Sequence, residues 1–416
     1  MKIDVNIPKL ILIICLYLSL IRGTSIGLFL PSDEHNIGDI DYSITKYMNY
    51  LILAGILAYL FFENNYKPLI EKLFSPTIIL FISICLISII WSVDQIESVK
   101  FMVVVTAISL PLVLYFYKFG QKKLMDHMTF FAVALCYLCL IYIILMPQYG
   151  IMSGKHDGAW RGLFPHKNIF GPFFAISFFF FANQFHSSGM IYRLVLAFAI
   201  ALSLIFVILS KSSTAIIGFA LMGVIYGGLL ILFRMPNMWE RIGIIIGLIT
   251  LMISFLILDS DLITEFIVFV TGKDISLSGR TDIWIPLLDL SAQRPIFGYG
   301  FGMAQRSSFI AQIQNTVGFE VQSSHNSYLD LIIGIGYPGT IIFMLIILKA
   351  IGKGLCFKPA NKLEISQYAL IFSQIIMLLI VSMTTSSVLL SRSIFWIFML
   401  MSLLMINDRQ QPQRNS

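Results

Sequence analysis

The sequence predicts an all-α protein that crosses a membrane about twelve times and carries one large extracytoplasmic loop. Three observations predict it. Of the 416 residues, 58% are hydrophobic and only 12% are charged, and the mean hydropathy is +0.87, a composition outside the soluble globular range. The apolar residues fall into runs close to the roughly 20 residues that a membrane-spanning helix needs. One long stretch, residues 259–325, interrupts that pattern. The net charge of +6 is small and scattered, which implies no nucleic-acid partner.

In chain order the apolar runs predict helices at 8–23, 48–63, 75–91, 101–117, 127–146, 169–185, 191–210, 214–233, 241–258, 327–349, 366–386 and 387–406. The first carries Arg22 near its end and resembles a secretory signal, but no small-residue cleavage site follows it, so it is read as a span. The last two flank "MTTSSVLLSR", a tight turn or a polar interruption of one long helix. Lysine and arginine orient the chain, because short cytoplasmic loops retain them. Lys118, Lys122 and Lys123 share one predicted loop, and Lys349, Lys353, Lys358 and Lys362 mark another, so both termini are expected on the cytoplasmic side. The resulting division is 1–258 (helices 1–9), 259–325 (the extracytoplasmic loop) and 326–416 (helices 10–12 with a short cytoplasmic tail).

This topology sends four polar patches to the outer face: "WSVDQ" (Trp91 to Gln95), "RGLFPHKN" (Arg161 to Asn168), "SKSST" (Ser210 to Thr214) and the large loop. Outer loops must be polar somewhere, yet four patches on one face also suit a single site. The large loop is too short and too apolar for an independent soluble domain and is expected to lie on the membrane. Within it, "TDIWIPLLDLSAQ" places Trp284, Leu287, Leu288 and Ser291 at helical spacing, with Pro286 expected in the first turn. That predicts an interfacial helix with its apolar face down. Arg280 would begin it, where backbone N–H groups and the helix dipole favour a phosphate; a snorkelling arginine at the headgroups fits the local sequence as well.

Downstream, "RPIFGYGFG" permits a tight turn and close backbone approach, without the spacing of a dinucleotide fingerprint. In "SSHNSYLDLIIGIGYPG", Ser324 or Asn326 is a plausible N-cap, and His325 sits at the mouth of the tenth helix as a structural histidine, a general base or an anion ligand. The acidic triplets at 39–41 and 259–261 are too common by chance to indicate a metal, and none is expected. The five cysteines lie in spans or an inner loop, so no disulfide is expected either.

The set "GRTDIW", "RPIFGYG" and "SHNSYLDLIIGIGYPG", over about 279–339, resembles the signature of the O-antigen ligase and polymerase superfamily. More loosely, "WSVDQIES", "RGLFPHKNIFGP" and "LSKSSTA" are similar to exopolysaccharide polymerases within it. The resemblance implies glycosyl transfer from an undecaprenyl-pyrophosphate-linked glycan to an acceptor glycan or to lipid A-core. It places the reaction outside a bacterial inner membrane, with no nucleotide sugar, metal or other cofactor. Arg280 matches the family arginine that holds pyrophosphate, and His325 matches the histidine of the "HN" motif; these are the candidate catalytic residues. The family's "SxSRT" pattern is broken here by Ser213, so Lys211 or Arg161 is the candidate for the second charge. Asn326 and His166 complete the candidate ligands of pyrophosphate or glycan, His166 being equally readable as a helix cap. The patches lean toward a polymerase, with a ligase as the alternative. A lipid-linked-glycan flippase is the alternative from another class, against which stand the absence of internal repeats and of intramembrane charge pairs in the sequence.

Overall fold

The computed structural model describes residues 6–26, 43–63, 76–235, 237, 239–240, 243, 280–305, 309–311, 314–315, 321, 323–356, 361–383, 385–386, 388–389 and 391–408. Their helices are α1 (Ile7–Thr24), α2 (Ser43–Phe62), α3 (Pro76–Ile87), α4 (Gln95–Leu145), α5 (Lys167–Phe185), α6 (Met190–Leu209), α7 (Ser213–Leu232), α8 (Arg280–Gln293), α9 (Ser327–Leu355), α10 (Lys362–Ser382) and α11 (Ile394–Asp408), besides short single turns. Among the described residues there is no strand, only an isolated bridge between Ile151 and Trp160. Among the described residues, seven helices (α1, α4, α5, α6, α7, α9 and α10) are long and apolar enough to cross a membrane, and shorter apolar helices lie at Lys46–Phe62, Ile78–Ile87 and Ile394–Asn407. The architecture is that of an all-α polytopic membrane protein. The expected span at 241–258 and the first part of the large loop fall outside the described residues, apart from isolated positions.

Two of the expected helices lie within α4. Gly120, at φ 83° and ψ 171°, breaks it. The rings of Tyr115 and His127 are 5.1 Å apart. Twelve residues of unbroken helix would separate them by roughly 18 Å along the axis. The chain therefore folds back at Gly120, and a glycine is required because a side chain rarely adopts that backbone.

The tenth helix, continuous in the sequence pattern, is broken in the structure. Gly336 (φ 71°, ψ 176°) interrupts α9. The break strands two carbonyls, because Pro338 has no N–H for Gly334 and the Tyr337 N–H points instead to the Pro295 carbonyl at 2.8 Å. The loop after α8 satisfies both: Tyr299 N–H reaches the Ile333 carbonyl at 2.7 Å and Gly300 N–H the Gly334 carbonyl at 3.0 Å. Main chain thus crosses main chain. A Cβ on Gly336 would fall 2.2 Å from the Ile296 carbonyl oxygen. Irregular backbone of this kind persists at membrane depth only where protein supplies the missing partners.

The described residues of the "MTTSSVLLSR" stretch form neither a tight turn nor part of one long helix. α10 ends at Ser382 and α11 starts at Ile394, and an irregular connection joins them. Its Ser386 hydroxyl bonds Ser324 at 2.7 Å, and its Thr385 carbonyl accepts from the Ser327 hydroxyl at 2.6 Å.

Phenylalanines fill the core more than they face lipid. Phe179, Phe180 and Phe181 are all buried, and Phe164, Phe170, Phe173, Phe174 and Phe206 form one aromatic cluster between α5 and α6. α7 runs antiparallel to α10: Gly218 lies against Met377 and Val381, while Phe233 packs on Tyr368 and Phe372. The "SKSST" start of α7 therefore sits at the same end of the bundle as the start of α9 and the α10–α11 connection. "WSVDQ" is joined to that end as well, Val93 N–H donating to the Tyr299 carbonyl at 3.0 Å and Trp91 Nε1 to the Phe297 carbonyl at 2.8 Å.

Candidate functional site

Two polar clusters share this end. The first joins the loop between α4 and α5 to the α6–α7 turn. Trp160 N–H donates to the Leu209 carbonyl at 2.9 Å, and the Ser212 hydroxyl to Asn168 Oδ1 at 3.0 Å. Arg161 is fully buried at the centre of its loop, with Nε donating to the Tyr149 carbonyl at 2.9 Å and Nη1 to the Pro165 carbonyl at 3.1 Å. Burial pulls the Arg161 pKa below the usual guanidinium value, and Tyr142 partly offsets this. Lys211 is exposed, in a left-handed conformation (φ 48°), and its ammonium donates to the Asp157 carbonyl at 3.0 Å. His166 caps α5, its Nδ1 accepting from Asn168 N–H at 3.1 Å, and its ring meets that of His156 at 5.4 Å. Lys167, unremarked in the sequence, is buried beside them and donates to the Lys211 carbonyl at 3.3 Å.

The second cluster is built on α8 and the first turn of α9. Arg280 is the first residue of α8, and its side chain lies outside the described residues. Ile283 and Leu287 are buried in one cluster with Leu329 and Ile333 of α9. This corrects the expected helix face, because Leu288 is exposed while Ile283 is buried: α8 has a protein partner for its apolar stripe. Pro286 lies inside the helix rather than in its first turn. One turn after Arg280, Trp284 Nε1 donates to the Ser324 carbonyl at 2.9 Å. That bond ties the helix opened by Arg280 to the residue preceding His325.

His325 occupies a left-handed backbone conformation (φ 51°), unusual for a bulky residue and held by its neighbours. Asn326 is the α9 cap, its Oδ1 accepting from Tyr328 and Leu329 N–H at 3.0 and 3.2 Å. The Ser324 hydroxyl accepts from Asn326 N–H at 3.1 Å and donates to the Asp330 carboxylate. Gln305 Nε2 donates to the same carboxylate at 3.3 Å and to the Ser386 carbonyl at 3.0 Å. Asp330 is buried, yet with Gln305 it lines a small cavity of about 10 Å³, room for a single water, that is walled by Phe101, Phe301 and Leu389.

The structure therefore places His325, Asn326 and the backbone of Arg280 around one polar network, and Arg161, Lys211 and His166 around another. Sequence reasoning missed Asp330, Gln305 and Ser386. An acid in the first turn of an apolar helix was the available signal for Asp330, since a carboxylate there is a functional candidate by default.

Residues 198–344 match the family model described as O-antigen ligase. The matched stretch holds Lys211, Arg280, His325, Asn326 and Asp330, whereas Arg161 and His166 precede it. No curated protein matches the chain.

Proposed function

We propose that this membrane protein of the O-antigen ligase and polymerase superfamily extends undecaprenyl-pyrophosphate-linked chains by repeat units, at the outer face of a bacterial inner membrane. Glycosyltransferase activity of the ligase or polymerase type is what the family match supports; the lipid carrier, the polymerase assignment and the membrane are the finer proposal. The observation that carries it is the Trp284–Ser324 hydrogen bond, which couples the start of α8 to the His325 turn. Both termini are assigned to the cytoplasm, residues 259–325 to the outside and 326–416 to the last helices and tail.

The chemistry asks for few groups. An acceptor hydroxyl oxygen attacks the anomeric carbon of the donor glycan. The bond from that carbon to the pyrophosphate oxygen breaks, and its electron pair leaves with the pyrophosphate. His325 takes the hydroxyl proton, and Arg280 neutralises charge growing on the leaving group, a contact strengthened in a water-poor site. Lys211 supplies a second charge, as a point cation rather than a fork. Arg161 holds the loop that presents His166 and whose Asp157 carbonyl seats the Lys211 ammonium, and Asn326 fixes the His325 turn.

Purified protein given lipid-linked repeat units alone is expected to make longer lipid-linked chains. No reaction until lipid A-core is supplied would instead identify a ligase, the second reading, and unchanged single units retained on the inner side of cells lacking the protein would identify a flippase. Reporters fused after Gln95, Lys155 or Asp282 are expected outside, and those after Lys123 or Lys358 inside. A cytoplasmic large loop would overturn the mechanism.

A further inference from the structure

One hydroxyl bridges the turn that carries His325. Ser324 Oγ accepts from Asn326 N–H at 3.1 Å, so the residue before His325 is tied to the residue after it, and His325 lies between them at φ 51°. A side chain of this size disfavours the left-handed region, and the turn keeps it there only while its neighbours hold. That hold depends on how the Ser324 hydroxyl is turned. Ser386 Oγ lies 2.7 Å from it on one side and the Asp330 carboxylate on the other. A carboxylate is the stronger acceptor, so the Ser324 proton goes to Asp330 and its lone pairs face Asn326 N–H and the Ser386 hydroxyl.

Capping α9 does not require the acid. Asn326 already caps that helix through Tyr328 and Leu329 N–H, whereas the bonds of Asp330 to Ser324 and Gln305 both leave the helix. Burying a carboxylate is costly, and the positive end of the α9 dipole offsets only part of the cost. What distinguishes an ionised carboxylate is that it accepts at both oxygens and donates at neither. Here Ser324 meets Oδ1 and Gln305 Nε2 meets Oδ2, the latter at 3.3 Å. Gln305 Nε2 also donates to the Ser386 carbonyl at 3.0 Å, which closes the ring back onto the serine beside Ser324. Asp330 is therefore the acceptor that leaves the Ser324 hydroxyl one arrangement.

We propose that Asp330 is a positioning residue of the transfer site: by accepting the Ser324 proton it fixes the Ser324–Asn326 tie and with it the placement of His325. Its bearing on catalysis rests on the reading of His325 as the base.

Wild type, Asp330→Asn, Gln305→Ala, His325→Ala, the double variant Asp330→Asn with His325→Ala, and Ser366→Ala would be compared. Asparagine keeps the shape of Asp330 but puts an NH2 group in place of one acceptor. Ser366→Ala is the control for lost stability, because Ser366 bonds Asn183 at 2.7 Å and Tyr226 at 2.8 Å at the other end of the bundle. Chain extension, thermal unfolding and the ring resonances of 13C-histidine-labelled protein would be measured, the His325 signal being the one of six that His325→Ala removes. Asp330→Asn is expected to lower kcat about fivefold with KM for the lipid-linked donor within about twofold of wild type, and to add nothing to the loss in His325→Ala. It is also expected to move or split the His325 signal alone. Gln305→Ala, which leaves the carboxylate but removes its second donor, is expected to move the same signal less, and it serves where Asp330→Asn does not fold. Ser366→Ala is expected to lower the unfolding temperature and leave that signal in place. An unmoved His325 signal in the folded variant, a loss that multiplies that of His325→Ala, or a kcat that falls only as far as the folded fraction would each overturn the proposal. A wild type that transfers no glycan, yet whose His325 signal moves in Asp330→Asn, would keep Asp330 as the anchor of this turn and reject the glycosyl-transfer reading.

Discussion

The two polar clusters at one end of the bundle hold their polar groups in opposite ways. In the loop between α4 and α5 the large cation is inside: Arg161 is fully buried and donates to carbonyls of its own loop. At the start of α9 the buried group is the acceptor, Asp330, which gathers Ser324 and Gln305 from separate segments and keeps a face on a cavity. A buried guanidinium that serves backbone carbonyls is a scaffold element. A buried carboxylate that collects side-chain donors beneath the histidine turn is what the proposed site would need as its support. Proximity in sequence to an "HN" or "HKN" motif does not distinguish these roles; burial and partners do.

Five substitutions break or sharpen the contrast, in falling order of effect on glycan synthesis. Arg280→Ala and His325→Ala are each expected to slow turnover by about 100 to 1,000-fold at normal protein abundance, the loss typical of one transition-state contact. Their double variant is expected to be less than additive, as for residues acting on one step. Near-normal synthesis by Arg280→Ala would return this arginine to a headgroup anchor. Arg161→Ala comes next, by another route: it strips partners from two carbonyls at about 1–3 kcal/mol each, so thermal unfolding in detergent and the amount of folded protein are expected to fall. Unchanged stability with lost turnover would move Arg161 into the reacting site.

Asp330→Ala is expected to lower transfer about tenfold, close to the 1.4 kcal/mol that one disturbed contact represents, with most of the protein still folded. An effect that adds fully to that of His325→Ala would show that the network does not serve the histidine turn. Lys211→Ala is the mildest, a roughly two- to five-fold rise in KM, because an exposed ammonium contributes only a fraction of a kcal/mol up to about 1. A loss as deep as that of Arg280→Ala would make Lys211 a full replacement for the arginine that Ser213 displaces.

The fold was largely legible because hydropathy reports the one constraint that bilayers enforce, a run of apolar residues with satisfied backbone. What escaped was whatever needed a partner. The turn at Gly120 was readable from Lys118, Lys122 and Lys123, but the break at Gly336 was hidden in an uninterrupted apolar run, since its compensation comes from residues 295–300. The face of α8 was misread for the same reason: Leu287 and Leu288 look alike in sequence, and only α9 decides which is covered. His325 and Asn326 were visible through a local motif. Gln305 and Ser386 were not, because each reaches the Asp330 network from a distant segment and neither carries a local signal.

The crossing of the α8–α9 loop over broken α9 behaves as a keyed joint. Its bonds run between peptide groups, so they are indifferent to most side chains but not to chain length. Glycine slots at Gly298, Gly300 and Gly336 face backbone or the Ser92 residue at distances no Cβ tolerates, and a slip of one residue would drive Tyr299 or Phe297 into a slot. Inserting or deleting one residue between Pro295 and Gly300 would accordingly be far more damaging than replacing Ile296, whose side chain is 60% exposed. Natural or engineered variation in this loop is free to change what it presents and barred from changing its register.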